Sequence, residues 1–160
     1  MRWTDFEASA PELAAFGRER IAHTGIVLLG TIRADGWPRI SPCEAYLEDG
    51  ELLLGMMPGS TKVLDLLRDA RLTVATPQPD RAAATGDLKL YGYGVAVTDP
   101  GVRRDHADAQ EKSIGWRPPG DIPLYAVDIR SAGFISFGEG KRLLRWKVGG
   151  SVEEMPHPEG

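Results

Sequence analysis

Residues 52–69 read LLLGMMPGSTKVLDLLRD, and this stretch is the strongest indication of the fold. Its apolar first part predicts a strand, the Pro-Gly pair a turn, and the residues from Ser60 onward a helix. The first N–H groups of a helix have no partner within it and lie at the positive end of its dipole, so they attract an anion. Ser60 suits the N-cap position, while Thr61 and Lys62 add a hydroxyl group and a positive charge. The stretch is therefore either a phosphate site or an ordinary capped helix.

The composition favours one small domain. The chain has 160 residues, of which 42% are hydrophobic, enough for one sizeable core and too little for two. We predict a single domain over residues 1–150 and a polar tail over residues 151–160. The net charge is −4 without a run of like charges, which argues against nucleic acid or a membrane as a partner. The single cysteine, Cys43, excludes an intrachain disulfide, and no signal-peptide pattern is present, so we expect a cytoplasmic protein.

Short apolar segments separated by turn residues predict a β-rich fold. The first half predicts a helix over 11–23, strands over 26–33, 38–47 and 51–57, the helix that begins at Ser60, and a strand over 71–76. The second half predicts a long strand over 87–98, a helix over 100–112, a loop over 115–123, and strands over 124–129, 133–137 and 142–148. Gly92 and Gly94 predict a bulge or bend in the long strand. We therefore predict a mainly β fold, an antiparallel barrel of six to seven strands with flanking helices.

Residues 35–76 resemble the core of a known family. They read DGWPRISPCEAYLEDGELLLGMMPGSTKVLDLLRDARLTVAT and contain a D-G turn, a P-R-x-S strand, a G-S-x-K helix start and a D-x-R strand. This order is similar to that of the pyridoxamine 5′-phosphate oxidase-like, FMN-binding split barrels, over about residues 20–98. The resemblance implies a homodimer with the cofactor site at the subunit interface. The family also includes proteins that bind the deazaflavin coenzyme F-420, haem-associated members and many proteins of unassigned activity.

The resemblance implies that Ser60, Thr61 and Lys62 hold the cofactor phosphate, where the residues themselves already predict an anion site. Arg39 and Ser41 share one face of a strand, because alternate residues of a strand do. They would point at the same phosphate or at the ribityl chain. The oxidases that give the family its name have an arginine at the position of Ser41, so Arg39 would replace that arginine only in part.

Three further residues are candidates for contact with the cofactor ring. Met56 and Met57 lie where family members run along the flavin, and the alternative for both is packing in the core. Trp116 lies in the predicted loop and would stack on a ring or pack in a dimer, and the adjacent Arg117 would meet an acidic substrate. The resemblance implies that the segment from Trp116 onward contacts the cofactor of the neighbouring subunit. Glu44 is a possible buried carboxylate that faces the site, and the sequence names no partner for it.

These features predict an FMN-dependent oxidoreductase with a small-molecule substrate. The alternatives are a reductase that depends on coenzyme F-420 and a non-catalytic flavin-binding or sensing protein. No catalytic residue follows from the sequence, because a flavin carries the chemistry itself. His23, His106 and His157 are too scattered for a metal site, and so few histidines argue against a haem-associated protein.

Overall fold

The computed structural model describes residues 1–78 and 81–159. These residues form four helices and eight strands. In chain order the elements are α1 Trp3–Ser9, α2 Pro11–Thr24, β1 Ile26–Ile32, β2 Pro38–Glu48, β3 Glu51–Gly55, α3 Thr61–Arg68, β4 Arg71–Ala75, β5 Asp87–Ala96, α4 Pro100–Ile114, β6 Leu124–Ile135, β7 Leu143–Lys147 and β8 Glu153–Met155. Within the described part of the chain, no helix has both the length and the apolar character needed to cross a membrane.

The strands form one antiparallel sheet that closes on itself. Their order is β3-β2-β1-β4-β5-β6-β7-β8, and β3 also pairs with β6. This additional pairing closes β1 to β6 into a six-stranded barrel and leaves β7 and β8 outside the ring. The mainly β, antiparallel barrel with flanking helices is therefore confirmed.

A bulge lies at Gly92, where the sequence predicts one, but its extra residue belongs to the neighbouring strand β6 and not to β5, and this explains the main error in the strand prediction. The pairing of β5 with β6 passes from Tyr91 opposite Ser131 to Gly92 opposite Ile129, which leaves Arg130 as the extra residue. The bulge lets β6 continue as one strand of 12 residues, where the sequence predicted two. Gly92 is required there, because a Cβ atom at this position would lie 2.0 Å from the Asp128 carbonyl oxygen.

Two elements were absent from the prediction. α1 buries Trp3 and Phe6, and the Phe6 ring packs edge-on against Trp146 with the ring centroids 5.0 Å apart. The Trp146 indole also donates a hydrogen bond of 3.0 Å to the Ser9 hydroxyl. β8 lies within residues 151–160, the expected polar tail, and pairs with β7 through its backbone while both of its glutamates are exposed. A strand with so little apolar content carries no sequence signal.

One edge of the barrel is open along β2. β2 pairs with β1 from Pro38 to Glu44, whereas it pairs with β3 only from Glu44 onward. Residues 38–43 therefore have a strand neighbour on one side only. α3 lies at this opening, since Lys62 Nζ donates a hydrogen bond of 3.1 Å to the Pro42 carbonyl oxygen.

Candidate functional site

A buried carboxylate fixes α3 to the open edge. Asp65 is 3% exposed and accepts hydrogen bonds from Thr31 Oγ1 at 2.9 Å and from Arg39 Nε at 2.6 Å. Arg68 lies 3.5 Å from the other carboxylate oxygen and donates to the Ile32 carbonyl. Burial alone would raise the pKa of Asp65, but these hydrogen bonds and the two arginine charges outweigh it and hold the pKa below its usual value. Asp65 therefore stays ionised and orients the helix.

The start of α3 has unused hydrogen-bonding groups. Ser60 occupies the N-cap, as predicted, but its hydroxyl is buried and makes no hydrogen bond. In an ordinary cap this oxygen would accept from an N–H of the first turn. Here the Val63 N–H donates to the Ser60 carbonyl at 3.0 Å, and the N–H groups of Thr61 and Lys62 have no acceptor among the described residues. A buried polar group without a partner is costly, which favours a ligand at this point.

A cleft of about 490 Å³ opens beside the helix start. Four predicted cofactor residues line it together: Met56, Met57, Lys62 and Trp116. The two methionines differ, because Met56 is 2% exposed and belongs to the core, whereas Met57 is 74% exposed. Trp116 is 44% exposed and is therefore free to contact a ligand. Of the predicted phosphate residues at the helix start, Lys62 lines this apolar space, whereas Ser60 and Thr61 do not.

Arg39 and Ser41 do not line this cleft. Arg39 lines a second cleft of about 540 Å³ together with Arg71, Lys89 and Tyr91. Ser41 lies between the two clefts on β2, on the same face as Arg39, and lines neither. The Nε atom of Arg39 is bonded to Asp65, so only its terminal nitrogens face outward. The structure therefore separates Arg39 and Ser41 from the Lys62 cleft within one chain.

The loop that carries Trp116 is anchored to α4. Arg103 donates hydrogen bonds to three backbone carbonyl groups, those of Val97, Gly120 and Ile122. Arg117 forms ion pairs with Asp108 and Glu111 of α4. The sequence suggested Arg117 as a contact for an acidic substrate, whereas the structure directs it toward the helix.

The remaining candidates have local explanations or unexpected partners. Cys43 lines the Lys62 cleft and its thiol donates to the Gly55 carbonyl at 3.4 Å. Burial raises the pKa of this thiol to about 11, despite an opposing effect of the Lys62 charge, so it stays protonated and is a poor nucleophile. Glu44 lines the same cleft but is exposed, not buried as the sequence suggested, because it points outward from β2. Its partner is Tyr46, whose hydroxyl donates to Oε2 at 2.8 Å.

The histidines lie away from the Lys62 cleft. His106 is buried with Nδ1 2.7 Å from Glu48, His157 lies 3.0 Å from the Ser136 carbonyl oxygen, and His23 is at the end of α2. Among residues 1–78 and 81–159, no group of three or more His, Cys, Asp or Glu could hold a metal ion.

Solved structures of known proteins share this architecture. A pyridoxamine 5′-phosphate oxidase-related, FMN-binding protein from Nostoc punctiforme matches with a TM-score of 0.68 at 13% identity, over 95% of this chain and 97% of that one. The chain has the split-barrel fold of the pyridoxamine 5′-phosphate oxidase-related proteins. No family model matches its sequence, and no curated protein matches it significantly.

Two further split-barrel neighbours have different ligands. PhzG from Burkholderia lata, solved with tetrahydrophenazine-1-carboxylic acid, matches with a TM-score of 0.61 at 14% identity, over 92% of this chain and 91% of that one. A haem-binding protein from Mycobacterium smegmatis matches with a TM-score of 0.65 at 19% identity over 86% of this chain. The chain spans 58% of the length of that protein. Likeness at these identities shows the fold, and the ligand has to be argued from the site.

Replacing Asp65 by Asn tests whether the buried carboxylate docks α3. The folded-state pKa of Asp65 lies below the unfolded value of about 3.9, so its stabilisation is present above that pH and is lost as the pH falls through the folded-state pKa. We expect Asp65→Asn to lower the free energy of unfolding at pH 7 by about 2 kcal/mol. The difference from the wild type should shrink below about pH 4.

Urea denaturation at several pH values measures this effect. Asp105→Asn is the matched control, because Asp105 is an exposed aspartate on α4, and it should change little. A difference that is absent at pH 7, or that stays constant into acid, contradicts the assignment.

Proposed function

We propose that the chain is an FMN-dependent oxidoreductase that holds the cofactor phosphate at the start of α3. The observation that carries the proposal is the buried, unbonded hydroxyl of Ser60 beside the free N–H groups of Thr61 and Lys62. The Lys62 side chain starts from the same helical turn, and its ammonium is hydrogen-bonded to one backbone carbonyl, that of Pro42. A phosphate group offers acceptors for all these donors and places its charge at the positive end of the helix dipole.

The cleft beside the helix start suits the ring of the cofactor. Met57 and Trp116 supply a thioether and an indole at its walls, and both groups pack well on flat aromatic surfaces. When bound, FMN would supply the hydride and electron transfer, and the residues of the chain would supply position and electrostatics.

The double variant Ser60→Ala with Lys62→Ala tests the phosphate site. We expect it to bind FMN about 100-fold more weakly, because two charge-assisted contacts with the phosphate are lost. The measurement is a titration that follows FMN fluorescence, with circular dichroism to show that the fold is intact. Ser151→Ala with Lys147→Ala, at exposed positions near β7, is the matched control. An affinity equal to that of the wild type removes the phosphate assignment.

The same titration distinguishes the alternatives. If coenzyme F-420 binds more tightly than FMN, the cofactor is the deazaflavin, and the assignment of the phosphate site to the start of α3 still holds. Reduction of bound FMN by a nicotinamide donor, followed by reoxidation by an acceptor, is expected of an oxidoreductase and not of a sensing protein.

We also propose that two copies of the chain form the functional unit. Around the second cleft, Ile40 is 73% exposed, Tyr91 42% and Leu28 38%, and on the outer side of α3 Leu67 is 70% exposed. Contiguous apolar surface of this kind marks an interaction site. A two-fold partner would cover it and the unpaired edge of β2 together, next to the outward nitrogens of Arg39.

Replacing Ile40 by Arg tests the dimer. A charge in the centre of an apolar interface cannot be desolvated cheaply, so we expect Ile40→Arg to be a monomer with weakened FMN binding. Size-exclusion chromatography with light scattering measures the mass. Val148→Arg, at a 45% exposed position after β7 and outside the barrel ring, should leave the dimer intact. A monomeric wild type, or a dimeric Ile40→Arg, contradicts the proposal.

A further inference from the structure

A carboxylate faces the Lys62 cleft from the outward side of β2. Glu44 lines the cleft together with Trp116, and its Oε2 accepts a hydrogen bond of 2.8 Å from the Tyr46 hydroxyl. Both side chains lie over Gly55, where a Cβ atom would be 3.3 Å from the Tyr46 ring and 3.6 Å from Glu44 Oε2. Because Gly55 has no side chain, the Glu44 and Tyr46 side chains can lie close over its backbone.

Tyr46 is held in place by α4. Its ring packs edge-on against the buried His106 ring, with the centroids 4.7 Å apart. His106 Nδ1 lies 2.7 Å from Glu48 Oε2, and Gln110 donates a hydrogen bond of 3.0 Å to Glu48 Oε1. Burial, then the hydrogen bond to Glu44, then the charges of Glu44 and Glu48 raise the pKa of Tyr46 far above its usual value. The phenol therefore keeps its proton and remains a donor to Glu44.

The charge of Glu44 has no cationic partner. In the part of the chain that the structure describes, Glu44 forms no ion pair, and the nearby Lys62 ammonium donates to the Pro42 carbonyl instead. A phosphate at the start of α3 would take up the Lys62 charge. Glu44 would then be the charged group that the cleft presents to a substrate, with Oε1 free to accept a hydrogen bond.

We infer that Glu44 determines the substrate class of this cleft. The cleft binds an uncharged or cationic ring compound that presents an N–H or O–H donor, and it rejects phosphorylated and carboxylated compounds. The donor bonds to the free carboxylate oxygen beside the cofactor ring that Trp116 and Met57 contact, and an anion is repelled at the same point. This inference rests on the proposed function, because that proposal assigns Lys62 to the cofactor and not to the substrate.

Three probes of one shape and different charge test the inference: benzamidine is a cation, benzamide is neutral, and benzoate is an anion. Their binding is followed by the Trp116 indole N–H signal in ¹H–¹⁵N NMR spectra, assigned with Trp116→Phe. We expect the wild type to bind benzamidine at least about fivefold more tightly than benzoate, with benzamide between them. Glu44→Gln should abolish this preference. Glu139→Gln, which removes an exposed glutamate between β6 and β7, should preserve it.

The titrations are made with and without FMN, so that the two proposals fail separately. The inference is overturned if no probe shifts the Trp116 signal, if the wild type binds benzamidine and benzoate equally, or if the preference survives Glu44→Gln. A failure of FMN to bind overturns the proposed cofactor instead. In that case the affinities for benzamidine and benzoate are compared without FMN. The change in their ratio from the wild type to Glu44→Gln still decides the role of Glu44.

Discussion

The contacts of the Asp65 carboxylate are the interaction on which the candidate site depends. Asp65 lies in α3, whereas its donors come from β1 through Thr31 and from β2 through Arg39. A buried charge is tolerated only with such partners, so α3 has one favourable position on the barrel. That position places Lys62, in the first turn of α3, at the wall of the cleft.

Closure of the barrel creates the space that α3 fills. β3 pairs with β2 only from Glu44 onward and with β6 on its other side, which completes the ring of six strands. The first half of β2 is left with one strand neighbour and with free backbone groups on its other side. Lys62 uses one of these groups, the Pro42 carbonyl. The strand pairing that completes the barrel therefore leaves the edge of β2 beside which the Lys62 cleft lies.

The parts of the fold that the sequence predicts are those specified by local signals. Turn residues and alternating apolar positions predict the hairpin of β1 and β2, and the glycine pattern predicts the bulge opposite Gly92. The sequence predicts that Lys62 and Met57 share a site only through the family resemblance. The same resemblance implies that Trp116 contacts the cofactor of the neighbouring subunit, whereas the structure places it beside Lys62 of its own chain. β8 is missed because its own residues have little apolar content, although it pairs with β7 and Glu154 bonds to Arg142. The continuity of β6 is missed because a bulge at Arg130 looks like an interruption.

Contacts between residues distant in sequence explain the differences at the site. Arg39 was expected at the phosphate, but Asp65, 26 residues later, binds its Nε atom. No local pattern connects these two residues. Tyr46 and Glu44 are two residues apart on one face of a strand, so the sequence indicates that they are neighbours. His106, which packs against Tyr46, is 60 residues further along the chain, and only the packing of α4 on the barrel brings the two rings together.

Comparison of FMN with riboflavin tests the phosphate site most directly, because the two compounds share the ring and the ribityl chain and differ in the phosphate. The account predicts that FMN binds about 100-fold more tightly than riboflavin. It also predicts that the backbone N–H signals of Thr61 and Lys62 shift in NMR spectra with FMN and not with riboflavin. Equal affinity for the two compounds, with no shift at these two N–H groups, would contradict it.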